Sequence, residues 1–296
     1  MRVTSLGYVV IESTNIQQWR EFATQVLGLM DTSKPGDTNL YLAMDEREFR
    51  IVVVPGENDR LQSSGWELPD KESYESVLDN LATSGFQVTR CDKDHALLRC
   101  ATACALTKDP DGNQLELYYG RVNTYRRFVS PQGVSGFVTG NMGLGHVVLP
   151  TPKLGDSLEF YTKLLGFEPT DYMDIVLSPD QPAIGLHFLH CDNPRHHSLA
   201  LFEAPHPAGL IHMMLEVENI DEVGYALDRC AEQGIHITAS MGRHVNDRMI
   251  SFYMRCPSGF EIEYGCHGWQ VDWNNYVPTN SKLQSFWGHK FDFPQV

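Results

Sequence analysis

Three residues in the second half of the chain are of types that together hold a divalent metal: His146, His212 and Glu263. Two neutral imidazoles and one carboxylate, gathered on one side of an ion, leave three adjacent positions open. A substrate and dioxygen can then meet on the same iron. Fe(II) and Mn(II) both accept such ligands, and neither needs a soft thiolate. Each residue alone has a plainer reading. A single histidine on an apolar strand is usually a core residue satisfied by one hydrogen bond. Glu263 shares a strand face with Glu261 by the two-residue period, and could simply face solvent.

The elements that must position these residues show an internal duplication. The run Leu6-Gly7-Tyr8-Val9-Val10-Ile11 returns as Leu144-Gly145-His146-Val147-Val148-Leu149, and both read as strands. A helical pattern follows each: Ile16, Trp19, Phe22, Val26 and Leu27 before Gly28, then Leu158, Tyr161, Leu164 and Leu165 before Gly166. Gly7 and Gly28 stand as far apart as Gly145 and Gly166. Glycine just past the helix fits a left-handed cap. Further helices are expected over 72–84 and 221–233, closed by Gly85 and Gly234. Last, Asp109-Pro110-Asp111-Gly112 matches Cys256-Pro257-Ser258-Gly259, a tight turn leading into a strand.

This order predicts an α+β fold of two tandem domains. Each is a pair of βαβββ modules forming a curved mixed sheet around a cavity, with helices packed outside. The Gly-, Ser- and Pro-containing stretch from Phe128 to Gly145 separates the copies, giving domains 1–133 and 134–296. The duplication is also a control. Where the second copy has His146, His212 and Glu263, the first has Tyr8, Ser63 and Glu116. The scaffold therefore stands without the two histidines. The three residues read as ligands.

Bulk properties exclude other classes. A net charge of -15 and a pI near 5.1 repel phosphate backbones and anionic lipid, so neither nucleic acid nor membrane is an expected partner. The N-terminal segment lacks the apolar core of a signal peptide, and no stretch is apolar enough to span a bilayer. Seven cysteines, an odd set spread over the chain, suit reduced thiols and a cytoplasmic location. Cys100 and Cys104 stand close in what reads as a strand-rich stretch, but no second pair completes a zinc motif. The glycines of 140–145 precede a strand, unlike a dinucleotide fingerprint.

From Leu6-Gly7-Tyr8 to Trp287-Gly288-His289-Lys290 the chain resembles the type I extradiol dioxygenases of the vicinal oxygen chelate superfamily, especially those that cleave bicyclic catechols such as 2,3-dihydroxybiphenyl. The segment from Ser251-Phe252-Tyr253 to Glu263-Tyr264-Gly265 carries the resemblance most specifically. It implies Fe(II), with Mn(II) the less favoured alternative, a catechol and O2 as reactants, and a homo-oligomer, often an octamer. Of the neighbours His196 and His197, it implies that His197 is the acid/base residue; strand alternation would turn His196 to the other side. It makes His244 a hydrogen-bond donor to substrate, placed in a loop, with Asn246 and Asp247 as supports. Tyr253 takes the place of a tyrosine that donates to the catechol. Phe188, Leu189 and Trp287 could line an apolar pocket.

Dihydroxynaphthalene, trihydroxybiphenyl and steroid-derived catechols remain alternative substrates. Two rivals stand outside the reaction: a glyoxalase-like metalloenzyme, and a non-catalytic small-molecule binding protein on the same scaffold. The first builds its site from two modules, and the second needs no three-ligand set.

Overall fold

A computed structural model of the chain describes residues 2–124, 126–176 and 182–292. In the first half, β1 (Ser5–Ser13) leads to α1 (Ile16–Glu21), which runs on as a π-turn over Phe22–Val26. Strands β2 (Met30–Asp31), β3 (Leu40–Ala43), β4 (Ile51–Pro55) and β5 (Arg60–Leu68) follow. Then come α2 (Lys71–Thr83), β6 (Thr89–Arg90), α3 (Lys93–Leu98), β7 (Ala103–Lys108) and β8 (Gln114–Tyr119).

The second half repeats the order with β9 (Gly145–Pro150), α4 (Leu154–Glu159) and its π-turn over Phe160–Leu164. Strands β10 (Glu168–Ile175), β11 (Ile184–His190), β12 (Leu199–Phe202) and β13 (His212–Val217) lead to α5 (Ile220–Gln233). The chain ends through β14 (Ile237–His244), β15 (Ile250–Arg255), β16 (Glu261–Cys266), β17 (Thr279–Asn280) and β18 (Ser285–Trp287).

The strands form two mixed sheets, ordered β2-β3-β4-β1-β5-β8-β7-β6 and β17-β10-β11-β12-β9-β13-β16-β15-β14-β18. In each, two βαβββ modules meet at an antiparallel seam, β1 on β5 and β9 on β13. Each module closes by a parallel pair: β1 with β4, β5 with β8, β9 with β12, β13 with β16. This is the tandem α+β fold expected from the sequence.

Local chemistry sets the elements. The Asp70 and Asn219 side chains accept from the Ser73 and Glu222 N–H groups, capping α2 and α5. Gly28, Gly85, Gly166 and Gly234 all take positive φ just beyond their helices. Alternation then divides the strands between two faces. Val147 and Leu149 of β9, Met213 and Leu215 of β13, and Ile262 and Tyr264 of β16 enter the main core with the helices. That core runs through both halves, since Leu6, Val9 and Trp66 belong to it too. The residues between them point to the other face. There the site lies.

Candidate metal centre

On that inner face, His146 of β9 and Glu263 of β16 both pair with Met214 of β13. They are two strands apart, about 10 Å of sheet, and their side chains lean toward each other over β13. His212 stands two residues before Met214 on the same face of β13. The three donor atoms converge. His146 Nε2 is 3.1 Å from His212 Nε2 and 3.2 Å from Glu263 Oε2, which is 3.4 Å from His212 Nε2. Three ligands at adjacent positions of an octahedron, each about 2.1 Å from the ion, stand about 3 Å apart. The set fits one metal.

Its electrostatics ask for a cation. Glu263 is 1% exposed, and among the described residues its ion-pair partners are His146, His212 and His244, with no Lys or Arg. Burial raises its carboxyl pKa, but hydrogen bonds from these imidazoles outweigh that and hold it well below the usual range. Burial pulls the His146 pKa down to about 4 against the pull of Glu263. His146 is therefore a neutral imidazole, the form that ligates. Ser251 Oγ of β15 donates to Glu263 Oε1 at 2.6 Å and fixes the carboxylate's rotation.

The first half shows the same geometry solved without a metal. Tyr8 and Ser63 donate to Glu116 at 2.7 and 2.6 Å, standing where the second half has its two histidines. The charge is met by Arg99, whose Nε and Nη2 reach the two carboxylate oxygens at 2.7 and 3.0 Å. Arg99 directly follows α3, a helix with no counterpart between β14 and β15. Gly65 occupies the place of Met214, and a Cβ there would lie 2.4 Å from the Tyr8 ring.

Around the second-half trio lies a small cavity of ≈ 50 Å³, lined by His197, His244, Asn246, Asp247, Tyr253 and Gln284 on its polar side. Met173, Leu186 and Phe188 make its apolar wall. The His197 ring packs against His146 at 4.1 Å and edge-on against Phe188 at 4.8 Å. Burial, then the neighbouring His146 and His196, push its pKa well below 6.5. His244 Nδ1 donates to the Gln284 carbonyl at 3.1 Å, and Nε2 lies 2.8 Å from the Tyr253 hydroxyl and 3.2 Å from Glu263 Oε1. Burial lowers the His244 pKa, but Glu263 outweighs it and pushes it up to about 9. His146 also lies near His197 and Asp247, a second possible donor trio. Asp247 Oδ1 already accepts from the Met249 N–H, and burial raises its pKa, so it is the poorer anionic ligand.

Several expectations need correction. His197 lines the cavity and His196 does not, yet the two rings touch, with Nδ1 to Nδ1 at 3.1 Å. Both residues precede β12 in a bend, so strand alternation does not govern them. His244 ends β14 rather than lying in a loop. Of the candidates for an apolar pocket, Phe188 lines the cavity, Leu189 is in the main core, and Trp287 is 49% exposed. Cys104 meets Cys91 rather than Cys100, because the antiparallel pairing of β6 and β7 continues to them. The sequence reading missed Ser251, Gln284 and His289. His289 stacks on His244 at 4.1 Å and reaches the Ser251 carbonyl. β18 pairs with β14 beside these last two residues. That strand lies beyond the repeat, so the duplication gave no signal for it.

Two tandem βαβββ sheets, with two imidazoles and a carboxylate converging on one of them, define a mononuclear metalloenzyme with open coordination positions. Residues 143–264 match the Glyoxalase/Bleomycin resistance protein/Dioxygenase superfamily, and residues 6–56 match the dihydroxybiphenyl dioxygenase BphC D1 family. The chain is 43% identical over 299 residues to an iron-dependent extradiol dioxygenase of Rhodococcus jostii, covering 98% of each. It is 40% identical to a biphenyl-2,3-diol 1,2-dioxygenase of Metapseudomonas furukawaii, covering 98% of this chain and 94% of the relative. The solved structure of BphC, a halotolerant catechol dioxygenase, superposes with a TM-score of 0.92 at 35% identity, covering 99% and 96% of the two chains.

The chain belongs to the extradiol dioxygenases of this superfamily. It is an iron-dependent enzyme that opens catechol rings with dioxygen, and His146, His212 and Glu263 form its metal site. The glyoxalase-like and purely binding alternatives therefore fall away. No helix among the described residues is long and apolar enough to cross a membrane.

Proposed function

We propose that the enzyme cleaves a bicyclic catechol such as 2,3-dihydroxybiphenyl beside its two hydroxyls, with both atoms of O2 entering the product. The observation that carries this reading is the division of one cavity into a metal-and-histidine side and an apolar wall of Met173, Leu186 and Phe188. A catechol ring directed to the polar side leaves its substituent toward that wall. The relative from Metapseudomonas, named for biphenyl-2,3-diol, supports the same choice.

His146, His212 and Glu263 would hold the iron, which would supply a Lewis acid for the catechol and a path for electrons to dioxygen. The chain's own groups handle protons. His197, packed on His146 inside the cavity, accepts the proton that a catechol hydroxyl loses and later returns one. His244 and Tyr253 act as one hydrogen-bonding unit toward a substrate oxygen, because the Gln284 carbonyl fixes the imidazole and the imidazole fixes the phenol. Asn246 and Asp247 hold the turn after β14: the Asn246 side chain accepts from the Asp247 N–H, and Asp247 accepts from the Met249 N–H. Asp247 Oδ2 also stands 4.0 Å from His197 Nδ1.

The same reading includes a homo-oligomer, an octamer by resemblance. Val277, Leu283 and Phe286 are exposed and supply apolar surface for it. Light scattering that returned a monomer would remove that part.

The test of substrate is anaerobic purification with an iron assay, then oxygenation with a panel of catechols. A yellow ring-opened product is expected from 2,3-dihydroxybiphenyl, with kcat/KM at least about tenfold above catechol and 3-methylcatechol. A preference for the monocyclic compounds would sink the bicyclic assignment.

A further inference from the structure

We propose that Cys91, His95 and Cys104 form a second metal site, in the first half of the molecule, that takes Zn(II). The three donor atoms lie within 4.8 Å of one another. Glu116 Oε2 is the nearest fourth donor, 3.8 Å from Cys104 Sγ and 3.5 Å from His95 Nε2. The edges of a tetrahedral zinc site with sulfur, nitrogen and oxygen ligands are about 3.5 to 3.8 Å. The two edges to Glu116 already have those dimensions.

Its parts come from adjoining elements. Cys91 extends β6, and its N–H donates to the Cys104 carbonyl of β7 at 2.9 Å, which sets the two residues opposite each other. Asp92 then caps α3 by accepting from the His95 N–H at 2.8 Å. That cap fixes the first turn of α3 and places His95 over the two thiols. His95 Nε2 is buried and makes no well-formed hydrogen bond, its one near acceptor being Glu116 Oε2 at 3.5 Å. A cation with an affinity for sulfur would satisfy the ring nitrogen and the two thiols together.

Burial raises the pKa of both thiols, so each holds its proton without a metal. Zinc binding releases the two thiol protons to solvent and leaves two thiolates on one Zn(II), a neutral unit. The neighbouring Arg99 and Glu116 already neutralise each other. The site is also chemically distinct from the iron centre, whose imidazole and carboxylate donors include no sulfur.

Iron-loaded enzyme titrated with Zn(II) under reducing conditions is expected to bind about one zinc per chain beyond its iron, with two protons released. Co(II) in its place should give the intense near-ultraviolet thiolate band that the iron centre cannot produce. The double variant Cys91→Ser/Cys104→Ser should lose both signals while keeping its iron content and ring-cleaving rate, which also shows that it folds. His146→Ala should keep the thiolate band. The proposal is overturned if the wild type binds no additional zinc, if the Co(II) spectrum lacks the thiolate band, or if the double variant retains zinc. A Cys91–Cys104 disulfide that persists in reductant would overturn it equally.

Discussion

Glu116 and Glu263 are the same position in the two copies, and the difference between them is what answers their charge. Arg99 answers Glu116, while Glu263 sees imidazoles. Replacing His146 by Ala is therefore expected to abolish iron retention, whereas Tyr8→Ala leaves iron in place; metal analysis after gel filtration distinguishes them. His197→Gln should keep iron and lower turnover by about 10²- to 10⁴-fold, as loss of an acid/base group does. Arg99→Ala strands a buried carboxylate and should cost about 3–5 kcal/mol at neutral pH. The Glu116 pKa is held well below the usual carboxyl range: burial would raise it, but the partners, Arg99 among them, outweigh that. Its stabilisation is therefore present above the unfolded value of about 4.3 and fades as pH falls through that range. Denaturation at pH 7 and at pH 4 should show the gap between wild type and variant narrowing in acid. At this scale the sequence was legible where residues broke an apolar pattern, as His146, His212 and Glu263 do. Arg99 was not, because it arrives from a short helix that only the first copy has.

Among the elements, β13 is the ruler of the site, since Met214 lies opposite both His146 and Glu263. Gly145 lets β9 approach it: φ is 154°, and a Cβ would fall 2.0 Å from the Met214 carbonyl oxygen. Gly145→Ala should force the strands apart, costing about 1–3 kcal/mol and weakening iron binding along with stability. Ser251→Ala makes a finer change on β15. It removes one hydrogen bond to Glu263 and should lower iron affinity about 10- to 100-fold with little change in melting temperature. A chelator titration separates the two variants. Helix ends marked by Asp70, Asn219 and the left-handed glycines could be read from the chain, because caps are local. The placement of His196 and His244 could not. It depends on where strands β12 and β14 begin and end, and those limits are set by pairing with distant strands.

Across the whole molecule the duplication becomes a pseudo-twofold handshake. Trp19 Nε1 of α1 donates to Ser258 Oγ in the second-half turn at 2.8 Å. Ser157 Oγ of α4 donates to Asp111 Oδ2 in the first-half turn at 2.7 Å. These are equivalent positions exchanged between copies, helix of one on turn of the other. The sequence displayed both turns and both helices, yet nothing in their spacing said that they would cross. We propose that 1–133 and 134–296 are the two units, and that they unfold as one because a single apolar core passes through both. A metal held only by the second unit should then stabilise the first, by the usual mass-action increment for a ligand that binds the folded state alone. Hydrogen exchange on holo and chelated enzyme tests this. The slowest amides of β1 and β9 are expected to open with the same free energy, and iron removal should lower both by an equal amount. Protection lost in β9 while β1 kept its own would mean two independent cores, and an N-terminal unit that contributes nothing to holding the iron.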